Sequence, residues 1–454
     1  LTLFAGCKKL IDIPPPSNEI PQSAVFADSA DIMNAMAGIY NNFGVTGFNP
    51  SFLSGLITLN TGLSGDELVP ASTNQAADLE FFGNAISNIN TSNEALWSNA
   101  YTSLYQINAC LNGISASSAI SPDFKQQLLG EILVNRALCY FNLVNLYGPV
   151  PLVTSTDYKV NQSLPRTPVD SLYDQILTDL AGARTKLTPA YPSAGRARPN
   201  VYAAEALLAK VYLYNRQWQK ADSAATGIIN SGLYSLNTDL NTVFLDGSNE
   251  AIWQILTAGS MNGQTPEASD FVPYASSVVP NYSLTGTLVA AFEPGDLRLQ
   301  DWVGVNTVSE NDSNVLYYYP YKYKNVSIYA TPAEDYMVFR LAEVYLIRAE
   351  AQAQGAGNQI PGAIADLNVI RNRAGLPNYA GATDQGSVLA AIYHERQVEL
   401  FCEWGNRWFD LKRTGAIDAV LGPEKPGWTA TDSLYPVPLP ELQNNPFLKQ
   451  NTGY

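Results

Sequence analysis

The sequence predicts a mainly α fold, a right-handed superhelix of stacked helical hairpins interrupted by an irregular, loop-rich subdomain. Three observations lead there. Apolar residues recur at spacings of three and four in a series of helix-length segments, 24–43, 95–114, 124–147, 172–187 and 201–215 among them. Two later segment pairs share a pattern of Leu, small and aromatic positions. Between 232 and 335 helical spacing gives way to Pro, Gly, Ser and Asn with dense aromatics.

In order along the chain, residues 24–43 place Ile32, Met33, Met36, Ile39 and Tyr40 at helical spacing, with Asp28 or Ser29 as the cap. Residues 44–94, rich in Gly, Asn, Ser and Thr, read as mostly irregular, and such length is uncommon unless functional. Residues 95–114 (Leu96, Trp97, Tyr101, Leu104, Tyr105, Ile107) and 124–147 (Leu133, Ala137, Tyr140, Phe141, Val144) form a first hairpin, stopped by Gly148-Pro149. Residues 172–187 and 201–215 form a second, and 218–229 a further helix. Leu208-Ala209, Tyr212, Trp218 and Ala221 are spaced as in a tetratricopeptide unit; 339–353 with 363–373 looks like another, and 389–401 begins a third. Stacked tetratricopeptide-like helical hairpins bury a shared core in a right-handed spine.

Within 232–335, the run AIWQIL at 251–256 reads as a short strand. Asp296-Leu297-Arg298 reads as a local ion pair that fixes a turn, and alternating Tyr317 to Tyr323 as a strand with one buried face. Residues 415–454 are Pro-rich, which pushes the preceding residues towards extended geometry. This tail is either an ordered strap over the helices or a flexible end; its Leu and aromatic content favours the strap.

At 454 residues the chain exceeds the usual single core, so a large domain or two intimate subdomains are expected. The net charge of −15, from 41 acidic and 26 basic residues, argues against a nucleic-acid partner, since phosphate neutralisation needs clustered Lys and Arg. It suits a neutral ligand better than an anion. The single histidine, His394, rules out a multi-His metal site, and Val398 breaks the HExxH pattern that His394-Glu395 begins. No cofactor is implied.

Cys110, Cys139 and Cys402 lie in apolar helical contexts as small core residues; a Cys110–Cys139 bond is left open. Residues 310–314, ENDSN, carry oxygen ligands for calcium but lack the spacing of a full calcium loop, and read as a solvated turn. Glu395, Glu399 and Glu403 recur at i+4, but Arg396 and Arg407 nearby are expected to hold them ionised, whereas a general acid needs a raised pKa. Trp97, Trp218, Trp253, Trp404 and Trp408 lie in regular elements and read as structural.

Residues 394–415, HERQVELFCEWGNRWFDLKRTG, interleave aromatics with charges of both signs, as expected of a packed corner. This stretch resembles the C-terminal signature of the SusD/RagB family of nutrient-binding outer-membrane lipoproteins. FRLAEVYLIRAEAQA (339–353), LNVIRNRAGL (367–376) and the tail YPVPLPELQNNPFLKQNTGY (435–454) resemble it too. Residues 1–7, LTLFAGC, look like the end of a signal peptide with a lipobox, although Phe4 stands where Leu is commoner. Cleavage before Cys7 would expose it for acylation, and several acyl chains anchor durably.

The resemblance implies a non-catalytic protein that is lipid-anchored to the outer membrane and exposed on the cell surface. It would bind oligosaccharide or polysaccharide and pass it to a SusC-like TonB-dependent transporter. It also implies that residues 1–23 are leader and tether, and that 24–231 and 336–454 carry helical pairs. The loop-rich insertion 232–335 would then sit with the early loops on one side of the spine. Sugar binding needs flat rings for C–H surfaces and planar polar groups for hydroxyls. The irregular regions offer Asp66, Phe81, Phe82, Asn84, Tyr274, Tyr282 and Trp302. Phe81, Phe82 and Trp302 stand equally as core residues. The rival readings are a tetratricopeptide scaffold that binds only proteins, and a glycan hydrolase with paired carboxylates.

Overall fold

The computed structural model describes residues 25–43, 51–257, 264–326 and 333–454. The lipobox, Cys7 and the tether up to residue 23 lie outside them.

Helix α1 (Ser29–Asn41) is capped by Asp28, whose carboxylate accepts from the backbone N–H of Ala30 and Asp31. Helices α4 (Thr91–Ala116) and α5 (Pro122–Tyr147) form the first hairpin, capped by Asn90 and Ser121. Next come α6 (Val169–Arg184), α7 (Val201–Tyr214) and α8 (Trp218–Asn230). The C-terminal half adds α12 (Leu341–Ala353), α13 (Gln359–Arg373) and α14 (Gln385–Glu399). Each packs on the next, α5 on α6, α7 on α8, α8 on α12 and α12 on α13, so the mainly α stack of hairpins is borne out.

The stretch 44–94 is a correction. Helix α2 (Gly55–Ser64) runs through it with every residue buried, followed by β1 (Leu68–Pro70) and α3 (Ala76–Phe82). A helix enclosed on all sides has no polar face, so GLITLNTGLS shows no amphipathic period. Phe339 is a second correction. It lies in strand β6 (Tyr336–Arg340), and the helix starts only at Leu341. Strand β2 (Ala251–Ile255) is the strand expected there; it pairs antiparallel with β6, and both are wholly buried.

Among the described residues, the rest of 232–335 includes α9 (Pro266–Phe271), β3 (Tyr282–Leu284), α10 (Gly286–Ala291), α11 (Leu297–Asp301), β4 (Val303–Glu310) and β5 (Ser313–Pro320). β4 and β5 form a hairpin whose two-residue loop, Asn311-Asp312, has positive φ at both positions, 47° and 62°. That is the turn type whose twist matches a right-handed hairpin. The oxygen-rich run 310–314 is therefore a turn, and the described residues hold no metal-ligating cluster. Gly304 on β4 has a steric reason: a Cβ there would stand 2.2 Å from the Tyr319 ring, which lies across it.

The tail is a strap. Between α16 (Ile417–Glu424), which follows α15 (Asn406–Thr414), and α17 (Leu439–Asn444), Tyr435 is fully buried among Phe81, Tyr147 and Trp408. Its N–H donates to Leu146 O, and the Asn93 amide donates to Pro436 O. Cys110, Cys139 and Cys402 are buried free thiols, so no bond joins the first two. No described helix is long and apolar enough to cross a membrane.

Candidate functional site

Strand β1 pairs antiparallel with β3, which joins the early region to the insertion, and β5 lies beside β3. These strands and α10 enclose a groove of about 860 Å3. One side carries Val69, Pro70 and Ser283; the other carries Leu316, Tyr317 and Tyr318, with Val289 of α10 between. The volume falls within the range of small-molecule sites, roughly 300–1,000 Å3. The Tyr317 hydroxyl donates to Glu310 Oε1 at 2.8 Å, a bond to a carboxylate that raises the phenol's pKa. Glu310 is the one charged residue among the groove's described walls. The loop ahead of β3 is held by Asn306 of β4, whose amide donates to Ala275 O (2.9 Å) and Val278 O (2.7 Å). This loop brings Val279 to the groove and carries Tyr274, which is 87% exposed.

The structure brings together the two regions expected to form the site, but not most of the side chains named. Five of the seven are buried: Asp66, Phe81, Asn84, Tyr282 and Trp302. Asp66 is gripped by Arg407, Nε to Oδ1 at 2.8 Å and Nη2 to Oδ2 at 2.6 Å. Phe81 meets Tyr435 edge-on at 5.2 Å. Asn84 sits at φ 51° just after α3 and donates to Ser64 O. The Tyr282 hydroxyl donates to Asp78 at 2.7 Å, tying β3 to α3. Phe82 is half-buried, with Lys425 Nζ 4.2 Å from its ring centroid. Tyr274 alone of the seven is openly exposed.

Trp302 is the clearest correction. It is 0% exposed, and its indole N–H donates to Leu240 O at 3.0 Å. Lys322, Arg373 and Arg340 lie at 4.8, 5.4 and 5.6 Å from its ring. As placed, the ring has no face for a ligand and lies among buried cations.

Those cations explain the carboxylates of 394–415. Arg298 joins Asp296 (2.8 Å), Glu395 (2.6 Å) and Glu399 (2.9 Å); Arg340 joins Glu250 (2.9 Å) and Glu403 (2.8 Å). Arg373 also reaches Glu399, and Lys322 reaches Glu403. Burial pushes the Glu399 carboxyl up, but Arg373, Arg340 and Arg298 outweigh it and hold the group far below the usual range. The expected Asp296–Arg298 pair is present. The expected partners Arg396 and Arg407 are not: Arg396 pairs with Asp410 and Arg407 with Asp66. This network is an internal clamp of buried ion pairs.

Glu310, Tyr317 and Tyr318, which the sequence placed only in a turn and a strand, are the residues the structure adds to the groove. Asn-Asp between two runs with strand-like alternation is a hairpin signal, and it would have pointed to them.

Known proteins show the same architecture. A family model described as "SusD family" matches residues 274–454, and one described as "Starch-binding associating with outer membrane" matches 22–213. SusD-like protein P25 of Formosa agariphila is 26% identical, over 99% of this chain and 97% of its own. Starch-binding protein SusD of Bacteroides thetaiotaomicron is 32% identical over 29% of this chain and 24% of its own. A SusD superfamily protein from Bacteroides vulgatus superposes with a TM-score of 0.81 at 21% identity, covering 94% of this chain and all of that one. A laminarin binding SusD-like protein gives 0.76 at 24% identity, again over 94% of this chain and 100% of its own.

Proposed function

The chain belongs to the SusD/RagB family, and on that premise we propose that it is a non-catalytic outer-membrane lipoprotein that binds oligosaccharide or polysaccharide at the cell surface and delivers it to a SusC-like TonB-dependent transporter. The observation that carries the binding role is the groove between β1–β3 and β4–β5, where Tyr317 and Tyr318 meet Glu310 and Ser283. Rings stack on the C–H faces of a sugar, while the carboxylate and hydroxyls take its O–H groups. Tyr274 is a candidate at the rim. Relatives named for laminarin binding and for surface glycan binding support a carbohydrate ligand. The description of the N-terminal family model supports the outer membrane, and Cys7 is the proposed acylation site.

Non-catalytic binding fits the charges. Glycoside hydrolysis in its common form needs two carboxylates flanking one bond. Glu310 has no acidic neighbour among the groove's described walls, and Glu395, Glu399 and Glu403 are locked in buried ion pairs.

Calorimetry with laminarihexaose and maltoheptaose tests the groove. Tyr317→Ala and Tyr318→Ala should each weaken binding of the preferred oligomer by about 1–3 kcal/mol, by analogy with losses of base–aromatic stacking. Unchanged affinity in both variants would remove the groove from the account, and release of shortened sugars by the pure protein would end the non-catalytic reading. Cys7→Ser should release the protein from the outer-membrane fraction of cells lacking the transporter; retention there would count against lipidation.

A further inference from the structure

A second hollow shares no residue with the groove. It measures about 350 Å3 and lies where the C-terminal strap crosses α4 and the segment after α5. Three aromatics at i, i+4 and i+8 on α4 run into it: Trp97, Tyr101 and Tyr105. Trp97 is enclosed and Tyr101 half-buried, their centroids 5.1 Å apart, but Tyr105 is 54% exposed. The Tyr101 hydroxyl donates to Pro151 O at 2.9 Å, which fixes the ring. Across the hollow stands Tyr158, 68% exposed, on the single turn Tyr158–Asn161. Core packing accounts for Trp97; it does not account for two tyrosines left open on the walls of one cavity.

The polar lining is rich in amides. Asn161, Gln162 and Asn444 bring side-chain amides, and Glu441, from α17 of the strap, brings the only charge. The Asn161 amide nitrogen donates to Ser155 O at 2.7 Å, while its buried Oδ1 has no hydrogen-bond partner. Burial raises the Glu441 carboxyl. No Lys or Arg lines the hollow, so nothing there would hold a phosphate or other anion.

We propose that this hollow is a second saccharide site, one that takes a short neutral oligosaccharide between Tyr105 and Tyr158 with its hydroxyls on Asn161, Gln162, Asn444 and Glu441. Its volume is at the small end for a ligand site. It therefore suits a chain end or a few rings rather than a long polymer. Because the strap closes it, the site exists only when the C-terminus is docked.

The test is calorimetry on the full chain with maltoheptaose, laminarihexaose, cellohexaose, xylohexaose and mannohexaose. The proteins are the Tyr318→Ala variant and the same variant carrying Tyr105→Ala and Tyr158→Ala. At least one oligomer should still bind Tyr318→Ala, and removing the two further rings should weaken it tenfold or more. Asn444→Ala in the Tyr318→Ala background should weaken the same oligomer. All three added side chains are exposed, so the thermal transition should stay in place. The proposal is overturned if Tyr318→Ala binds none of the oligomers, or if the added substitutions leave its binding unchanged. In the first case the groove remains the sole site.

Discussion

At the scale of single residues, much of the buried charge is paired. Arg340 touches Glu250, Glu399 and Glu403 with almost no exposure. Arg340→Met should cost about 3–5 kcal/mol in urea unfolding, because it strands buried carboxylates rather than because the pairs were strong. A loss below about 1 kcal/mol would show that water reaches the cluster. Two sets of carboxylates tilt stability in opposite directions with pH. Asp410 is pushed up by burial but held down, to about 2, by Arg396 and Arg413. Its contribution is present above its unfolded value of 3.8 and is lost as pH falls towards 2. Glu267 is raised by burial to about 8 from 4.5, so its contribution is full below 4.5 and is lost as pH rises towards 8. Glu267→Gln should therefore match the native protein near pH 4 and exceed it at pH 8.5 by about 4–5 kcal/mol. Equal stabilities at both pH values would contradict the burial of an ionisable carboxyl there.

At the scale of elements, what was legible depended on whether an element has two unlike faces. The long helices do, and 95–114, 124–147 and 201–215 were read within a few residues of α4, α5 and α7. Helix α2 has one kind of face only and was invisible. Its closeness to α15 rests on Gly405, at φ 70°, where a Cβ would stand 2.8 Å from Thr61 Oγ1. Gly405→Ala should cost about 2 kcal/mol or more, from left-handed strain plus overlap with α2. A thermal melt unchanged from the native protein would mean that α15 can shift. The last two residues of strand β6 were misread as helix because FRLAEVYLIRAEAQA is apolar and charged in a helical rhythm from its first residue. The pairing with β2 that claims Phe339 and Arg340 comes from a segment far upstream.

At the scale of the whole molecule, the strap closes the architecture. Tyr435 packs on Phe81 from the early region, Tyr147 from the first hairpin and Trp408 from the C-terminal corner, and its hydroxyl lies 3.0 Å from Ser64 Oγ. Tyr435→Ala should cost about 3–5 kcal/mol in chemical denaturation and speed proteolysis of the tail. A tail no more sensitive to protease than in the native protein would argue that the strap holds without its anchor. By itself, the sequence determined the helical class, the hairpin pairs, the Asp296–Arg298 turn and the family likeness, because periodicity, local pairs and motifs are carried by neighbouring residues. It also indicated which two regions would form the groove. Only the tertiary structure decided that Trp302 lies among buried guanidinium groups, that Glu399 answers to Arg298, Arg340 and Arg373, and that Tyr317 and Tyr318 line the groove. Whether a ring is sealed or open, and which charge neutralises which, depends on segments that meet only when the chain is packed.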